Sequence, residues 1–446
     1  MRTDGESAGT RRRSRWALDL TPLRASRDYR LSYAGAGVSA LGSMVTYVAV
    51  PFQAAALTGS PLMVGLIGVF EFVPLLVMAL VGGALADYLD RRRLVLSAEA
   101  GLTVLTGVLL VNAMLPTPHL WVLYLVAAAT ATLDGLQRPA LDSMTPRLVA
   151  PTLIPAATAL NSLRRTVASL VGPMAGGALI AWVGLPVAYG VDLVSFALSL
   201  ICLFLVRAVP PPPDADRPSL RGVVTGLRYA ARRPELLGTY LADFSAMLFG
   251  MPLALYPFVA HRLGGPAVLG LLYSAESVGG LLAALGSGWT GRVRRHGLMV
   301  VLAAGTWGLA IAGFGLSGSL WLALGCLAVA GAADQISGLF RGSIWDQTIP
   351  DHLRGRLAGV EMLSYSSGPA LGNLRGGLVA RYTGVTGSIV SGGLLCVLGT
   401  VVLAVALPRF LRYDSRDGMA HKQAEDEARR KAADGTADPL VEPASG

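Results

Sequence analysis

Apolar stretches alternate with short polar breaks along most of the 446 residues, falling near 31–57, 62–86, 94–115, 120–141, 156–181, 186–206, 236–261, 267–289, 297–316, 319–340, 357–380 and 385–407. A bilayer's hydrocarbon core needs about 20 consecutive apolar residues for one helical crossing, so each stretch predicts a membrane-spanning helix. The pattern predicts an all-α membrane protein of twelve transmembrane helices.

The longest polar break inside this series begins at Pro210-Pro-Pro-Pro213 and continues through Asp214-Ala-Asp216-Arg217-Pro218. Proline at these positions cannot extend a helix, and the break divides the stretches six and six. The expected organisation is a cytoplasmic N-terminal tail over 1–28, a six-helix bundle over 29–207, a linker over 208–235, a second bundle over 236–408 and a disordered cytoplasmic tail over 409–446. Within the linker, Leu220, Val223, Val224, Leu227 and Ala231 share one helical face, while Arg221, Thr225, Arg228 and Arg232 share the other. Such a helix suits either the cytoplasmic membrane surface or packing on the bundle.

The two halves repeat. Pro51-Phe52 recurs as Pro257-Phe258, Pro61 as Pro266, Gly65 as Gly270 and Glu71 as Glu276. Asp142 and Pro146 match Asp346 and Pro350, and Gly172, Gly176 and Gly177 match Gly372, Gly376 and Gly377, all at offsets of 200–206 residues. This predicts two pseudo-symmetric bundles in parallel orientation that rock around a central site.

Charge sets the expected orientation. Arginines cluster at 91–93, 138–147, 207–233, 292–295 and 341–356, in every even break, whereas the odd breaks hold only Arg262 and Arg381. Both termini are therefore expected in the cytoplasm. The same distribution explains the net charge of +9 as topology and argues against nucleic-acid binding. With 53% hydrophobic and 15% charged residues and a mean hydropathy of +0.55, the chain lies outside soluble globular usage. Glycine, at 54 residues, suits close helix packing. Arginine almost replaces lysine, which occurs only at 422 and 431, a bias that fits a GC-rich bacterial genome and a bacterial plasma membrane.

No chemistry-bearing cluster points to an enzyme. The sequence lacks a phosphate-binding glycine loop with Lys, paired histidine ligands and a nucleophile elbow, so no cofactor or metal is expected. Cys202, Cys326 and Cys396 sit separately inside apolar stretches, which disfavours disulfides. The histidines fall at breaks or stretch ends. Without an ATP site, an ion gradient or the substrate's own gradient must drive any transport.

One polar break is distinctive: Gly83-Ala-Leu-Ala-Asp87-Tyr-Leu-Asp90-Arg91-Arg92-Arg93. It resembles the loop between helices 2 and 3 of the major facilitator superfamily, with Tyr88 where a basic residue is usual and Asp90 where Gly is usual. The resemblance implies a conformational gate formed by Gly83, Asp87, Asp90, Arg91, Arg92 and Arg138, with Asp87 latched near Leu357 at the start of the eleventh helix. Gly172-Pro173-Met-Ala-Gly176-Gly177 resembles the fifth-helix packing motif of drug:proton antiporters, with Ala159 and Ala168 where glycines are usual upstream. The basic residue usual deep in the fourth helix is missing, and Arg138 lies near that helix's cytoplasmic end. Together with Arg138-Pro139, Pro146 and Asn161-Ser162-Leu163, these motifs resemble the siderophore-exporter-like branch, which includes enterobactin exporters, over about residues 28–408.

Glu71, Asp134, Asp243, Glu276, Asp334 and Glu361 fall inside apolar stretches, as does Arg375. A charged side chain at the bilayer centre costs about 2.5–3.5 kcal/mol even on the lenient insertion scale, so each needs a partner or a function. Interhelical hydrogen bonding is the plain reading. Glu71 and Glu276, each about nine residues into its stretch and so roughly 14 Å deep, are candidates for proton coupling, together with Asp134 and Asp334. The resemblance places Asp134, Asp243 and Asp334 on cavity-lining helices. The expected function is a monomeric secondary transporter that exports a small amphipathic compound (a siderophore, antibiotic or drug-like molecule) by alternating access and proton antiport. Its partners are substrate, protons and lipid. The competing readings are an importer of a polar solute with the same fold, a lipid scramblase or sensor, and, last, a membrane enzyme.

Overall fold

The computed structural model describes residues 18–88, 90–207, 228–349 and 354–414, and beyond these 416, 418, 419 and 422. Among them the chain is helical, with a single isolated β-bridge between Arg295 and Asp414. The first half contains α1 (Arg27–Thr58), α2 (Pro61–Tyr88), α3 (Arg91–Met114), α4 (Leu120–Leu148), α5 (Ile154–Val183) and α6 (Leu185–Phe204). The second contains α7 (Pro234–Leu263), α8 (Pro266–Leu285), α9 (His296–Leu316) and α10 (Leu320–Thr348). One continuous helical stretch, Arg354–Ala406, closes the series.

That last stretch is two helices. Gly384 interrupts it at φ 75°, ψ 170°, a conformation open to glycine because it has no Cβ. The Ser388 hydroxyl donates to the Gly376 carbonyl at 2.7 Å, and Arg375 donates to the Ser388 carbonyl at 3.2 Å. In a straight helix twelve residues would span about 18 Å, so the chain folds back here. We name the arms α11 (354–383) and α12 (385–406).

Eleven described helices are long and apolar enough to cross a membrane, the last counted as one piece. The outer surface agrees. Trp121, Trp182, Trp321 and Tyr382, all strongly exposed, mark the ends of α4, α5, α10 and α11 remote from the chain termini, here called the distal end. Such an aromatic belt belongs at a membrane–water boundary. Val405, Leu285 and Leu316 are also among the exposed large side chains, which lipid would cover.

The halves share one packing plan. In the first, α1 packs on α5 and α6, α2 on α4, and α3 on α4 and α6. In the second, α7 packs on the α11–α12 pair, α8 on α10, and α9 on α10 and the same pair. The halves meet along two seams, α5 against α8 and α11 against α2. α7 differs from α1 in being broken: Pro234–Gly250 and Tyr256–Leu263 are joined through a 3-10 turn at Leu253–Leu255, next to Pro252, which supplies no backbone N–H.

One expectation is revised. The tail was expected to be disordered from 409, yet Pro408–Leu411 is helical and Phe410 is fully buried, seated where Gly238 and Gly297 leave room for it. The Tyr413 hydroxyl reaches Thr348 Oγ1 at 3.2 Å. Burial of an aromatic ring anchors this strap to the second bundle. Of the linker, 208–227 lies outside the described residues; its end packs on the bundle, with Ala230 buried beside Leu236, Tyr240 and Leu357 and the Arg233 guanidinium 4.8 Å above the Tyr229 ring.

Candidate functional site

Both seams are built by the sequence repeat. A Cβ on Gly177 of α5 would lie 2.8 Å from the Pro266 carbonyl and 2.7 Å from the Gly270 nitrogen on α8; one on Gly377 of α11 would lie 2.5 Å from the Pro61 carbonyl on α2. Likewise a Cβ on Gly270 would meet the Pro173 carbonyl at 2.3 Å, and one on Gly65 the Asn373 carbonyl at 2.5 Å. Each contact is the repeat image of its mate. Only glycine lets two backbones come this close, so both distal seams are closed. Deeper in the first seam, the Ser277 hydroxyl donates to the Ser169 carbonyl at 3.1 Å.

The rest of the glycine motif serves the first half. Gly172 faces Met44 and Gly176 faces Val45 Cα, both on α1. Gly172, Pro173, Gly176 and Gly177 are all buried. The motif therefore packs α5 on α1 with one face and on α8 with the next.

Glu71 and Glu276 lie where the seams pass into the middle of the molecule, each ten residues after the proline that opens its helix, at Pro61 and Pro266. On α2 the face of Gly65 and Gly68 meets α11. Glu71 is exposed, but at about 100° per residue it stands about 200° around the helix from lipid-facing Val73. It faces inward. Tyr47 of α1 is also partly exposed, on the side away from the contacts of Met44, Val45 and Thr46 with α5 and α6.

Tyrosines from three helices gather beside Glu276. The Tyr47 ring meets Tyr273 of α8 edge-on at 5.3 Å, and Tyr273 meets Tyr256 of α7 edge-on at 5.1 Å. The Tyr256 hydroxyl donates to Glu276 Oε1 at 2.5 Å, and the Tyr273 hydroxyl donates to the Leu253 carbonyl at 3.3 Å. Tyr47 interacts electrostatically with both Glu71 and Glu276. Asp134 of α4 is an electrostatic neighbour of Glu71, and Asp334 of α10 of Glu276. Glu276 thus meets, through Tyr256, a run of three aromatic rings that the sequence pattern does not mark.

Asp243 of α7 stands apart from them. It is buried and ion-paired with Arg341 of α10, whose guanidinium also lies 3.7 Å from Asp334 Oδ1. Arg341 was grouped with loop cations in the sequence, but α10 continues to Thr348 and carries it inside. Two further buried carboxylates escaped the sequence reading. Asp192 of α6 accepts from Thr46 at 2.5 Å and from Ser195 at 3.2 Å, and Glu99 of α3 accepts from Gln137 of α4. The stripe Asp192, Ser195, Ser199 at helical spacing was the available signal for the first.

The charged break after α2 is described in part. Gly83 and Asp87 fall in the last turns of α2, and their side chains, like that of Glu361, lie outside the described residues, as does the latch expected between Asp87 and the start of α11. Asp90 caps α3, accepting from the Arg93 N–H at 3.1 Å. Arg91 is buried, and Arg92 donates to the Leu203 and Phe204 carbonyls at the end of α6. A cation there satisfies orphan carbonyls and the helix dipole. Arg138 is exposed on α4, one turn beyond Asp134.

Comparison with known proteins agrees with this architecture. The chain is 31% identical over 392 residues to the enterobactin exporter of Shigella boydii serotype 18, an alignment covering 87% of this chain and 94% of that one. Among solved structures, a peptide transporter in complex with alafosfalin superposes with a TM-score of 0.69 at 13% identity over 89% of this chain and 99% of that one. A bacterial homologue of the iron transporter ferroportin, in an inward-facing state, gives 0.64 at 16% identity over 86% and 98%. Residues 17–434 match the family profile described as transmembrane secretion effector. The chain belongs to that family of the major facilitator superfamily.

Proposed function

We propose that this protein is a secondary transporter, not an enzyme, that exports a siderophore-like amphipathic compound across the bacterial plasma membrane by proton antiport. Both termini face the cytoplasm in this reading, so the closed distal seams face outward and the chain rests in a state closed to the outside. The observation that carries the proposal is the repeat-related pair Glu71 and Glu276, placed at matching depth on the two helices that form the seams between the halves. Rocking of one half against the other then changes what each carboxyl meets, so gain and loss of a proton can be tied to the conformational cycle. Substrate identity is supported by the similarity to the enterobactin exporter. One polypeptide contains both seams, so a monomer suffices.

The test uses everted membrane vesicles energised with an inward-acid pH gradient and supplied with enterobactin. Accumulation that collapses when the gradient is dissipated supports export by antiport. Accumulation only in right-side-out vesicles would make the protein an importer. Lipid flipping without a gradient would make it a scramblase.

A further inference from the structure

The loop that joins α8 to α9 has a counterpart between α2 and α3, and the two use their arginines differently. In the first half Arg92 donates to the Leu203 and Phe204 carbonyls and so caps α6. In the second half α12 runs on into the strap, whose backbone takes over that role: the Leu407 N–H donates to the Leu403 carbonyl at 2.9 Å and the Leu411 N–H to the Leu407 carbonyl at 3.2 Å. Arg292, Arg294 and Arg295 are thereby released from capping, and all three are exposed. Among the described residues none of them forms an ion pair, and neither do Arg409 and Arg412 of the strap.

The fold gathers these cations at the edge of the lipid-facing surface. The isolated bridge between Arg295 and Asp414 ties the loop to the strap, and Arg409, Arg412, Tyr413 and Asp414 line a cleft of about 310 Å³ that begins at Pro408. Asp414 is the carboxylate on its wall, against two guanidinium groups from the strap and those of the adjoining loop. Val402 and Val405, strongly exposed on the last turns of α12, lead directly to Pro408. Trp289, in the same loop as the arginines, is partly exposed with its ring 5.9 Å from that of Phe340. A tryptophan so placed marks headgroup depth.

A phospholipid phosphate matches this place on both counts. It brings negative charge and several acceptor oxygens to guanidinium groups, which bind phosphate through paired N–H donors, and it carries acyl chains for the valine face beside them. Basic pockets at headgroup level bind anionic lipids in this way. We propose that the cleft between the strap and the α8–α9 loop holds the headgroup of an anionic phospholipid, with Arg409 and Arg412 on its phosphate, Arg294 and Arg295 beside it, and its chains along Val402 and Val405. A free phosphate shares the charge but not the chains. Phe410 seats the strap between Gly238 of α7 and Gly297 of α9, and the Tyr413 hydroxyl reaches Thr348 of α10. A lipid held here therefore fastens three helices of the second half to the bilayer surface and raises their resistance to unfolding. The site is remote from the seams and stands whether or not the transport reading does.

The full chain, stripped of lipid in a neutral detergent, is titrated with phosphatidylglycerol and with phosphatidylcholine of the same chains. Bound lipid is counted by native mass spectrometry, and thermal unfolding is followed in parallel. Phosphatidylglycerol should bind at least about tenfold more tightly than phosphatidylcholine and raise the unfolding temperature. Arg409→Gln/Arg412→Gln should weaken phosphatidylglycerol about 25-fold, at about fivefold for each arginine at a charged membrane surface, and cancel the rise. Arg294→Gln/Arg295→Gln should act in the same direction, whereas Arg381→Gln, which removes an exposed cation at the distal end, should bind within about twofold of the parent. Unfolding without lipid is compared first. If the Arg409/Arg412 variant melts early, the Arg294/Arg295 variant decides: weakened binding supports the site and parental binding overturns it. Equal binding of the two lipids, or parental phosphatidylglycerol binding by a stable Arg409→Gln/Arg412→Gln protein, also overturns it. So does displacement of the lipid by glycerol 3-phosphate, which would make the cleft a site for a soluble anion.

Discussion

Replacing Gly177 by Ala should move the protein toward its outward-open state. The added methyl would sit 2.7 Å from the Gly270 nitrogen and 2.8 Å from both Gly270 Cα and the Pro266 carbonyl. All are backbone atoms of a helix in the other half, so no side-chain rotation relieves the clash. The seam must part by several tenths of an ångström, and overpacking of this kind costs about 1–3 kcal/mol. A state in which α5 and α8 have already separated does not bear that cost. At about 1.4 kcal/mol per tenfold, the ratio of open to closed molecules should rise about 5- to 160-fold. Gly377→Ala, whose methyl would lie 2.5 Å from the Pro61 carbonyl, should act in the same direction from the second seam. Gly176→Ala is the contrast: its methyl would meet Val45 Cα at 3.0 Å within the first half, so it strains one bundle and leaves the open-to-closed ratio near the parent's. The assay is the distance distribution between spin labels at the distal ends of α5 and α8, in protein with Cys202, Cys326 and Cys396 replaced by Ser. A Gly177→Ala distribution matching the parent's, with unchanged transport, would refute the glycine seam as the structural basis of the closed state.

Other outcomes follow from the packing. Arg341→Gln leaves the buried Asp243 without its cation and should lower stability by about 3–5 kcal/mol, with much of the loss recovered in Arg341→Gln/Asp243→Asn; thermal unfolding in detergent reads both. Phe410→Ala should cost about 3–5 kcal/mol, because the ring is fully buried between Gly238 and Gly297, and truncation after Leu407 should match it in the same melt. Asp192→Asn keeps a group that can accept from Thr46 and should change stability by about 1 kcal/mol or less. Asp192→Ala, which takes away the acceptor of the half-buried Thr46 hydroxyl, should cost about 1–3 kcal/mol.

The architecture was legible because the bilayer leaves a chain few options. Apolar runs of fixed length marked the helices, and prolines and glycines at 61, 65 and 177 and at 266, 270 and 377 marked the repeat, since a close backbone approach tolerates no other side chain there. The bend at Gly384 falls in the short break between two apolar runs. What resisted reading was pairing across helices. Tyr47, Tyr256 and Tyr273 look like ordinary apolar positions until the fold brings α1, α7 and α8 together. Arg341 looked like a loop cation because its helix outlasts its apolar run by two turns, and a positive-inside count cannot tell a solvated arginine from one that holds Asp243. Asp192 and Glu99 are satisfied by hydroxyls and an amide from other helices, partners that no local spacing reveals. The strap after Pro408 was misread because its anchor is one residue, Phe410, in a segment whose composition is otherwise that of a solvated tail.

Glu71 is proposed to couple proton movement to the rocking of the two halves. The most direct measurement compares Glu71→Gln with the parent in proteoliposomes, following substrate-induced proton flux and substrate counterflow separately with enterobactin as cargo. Coupling predicts that proton flux disappears while counterflow, which needs only the conformational cycle, persists. Proton flux at the parental stoichiometry would contradict the claim, leaving Glu71 a structural residue and Asp134 or Asp334 as the group to test next.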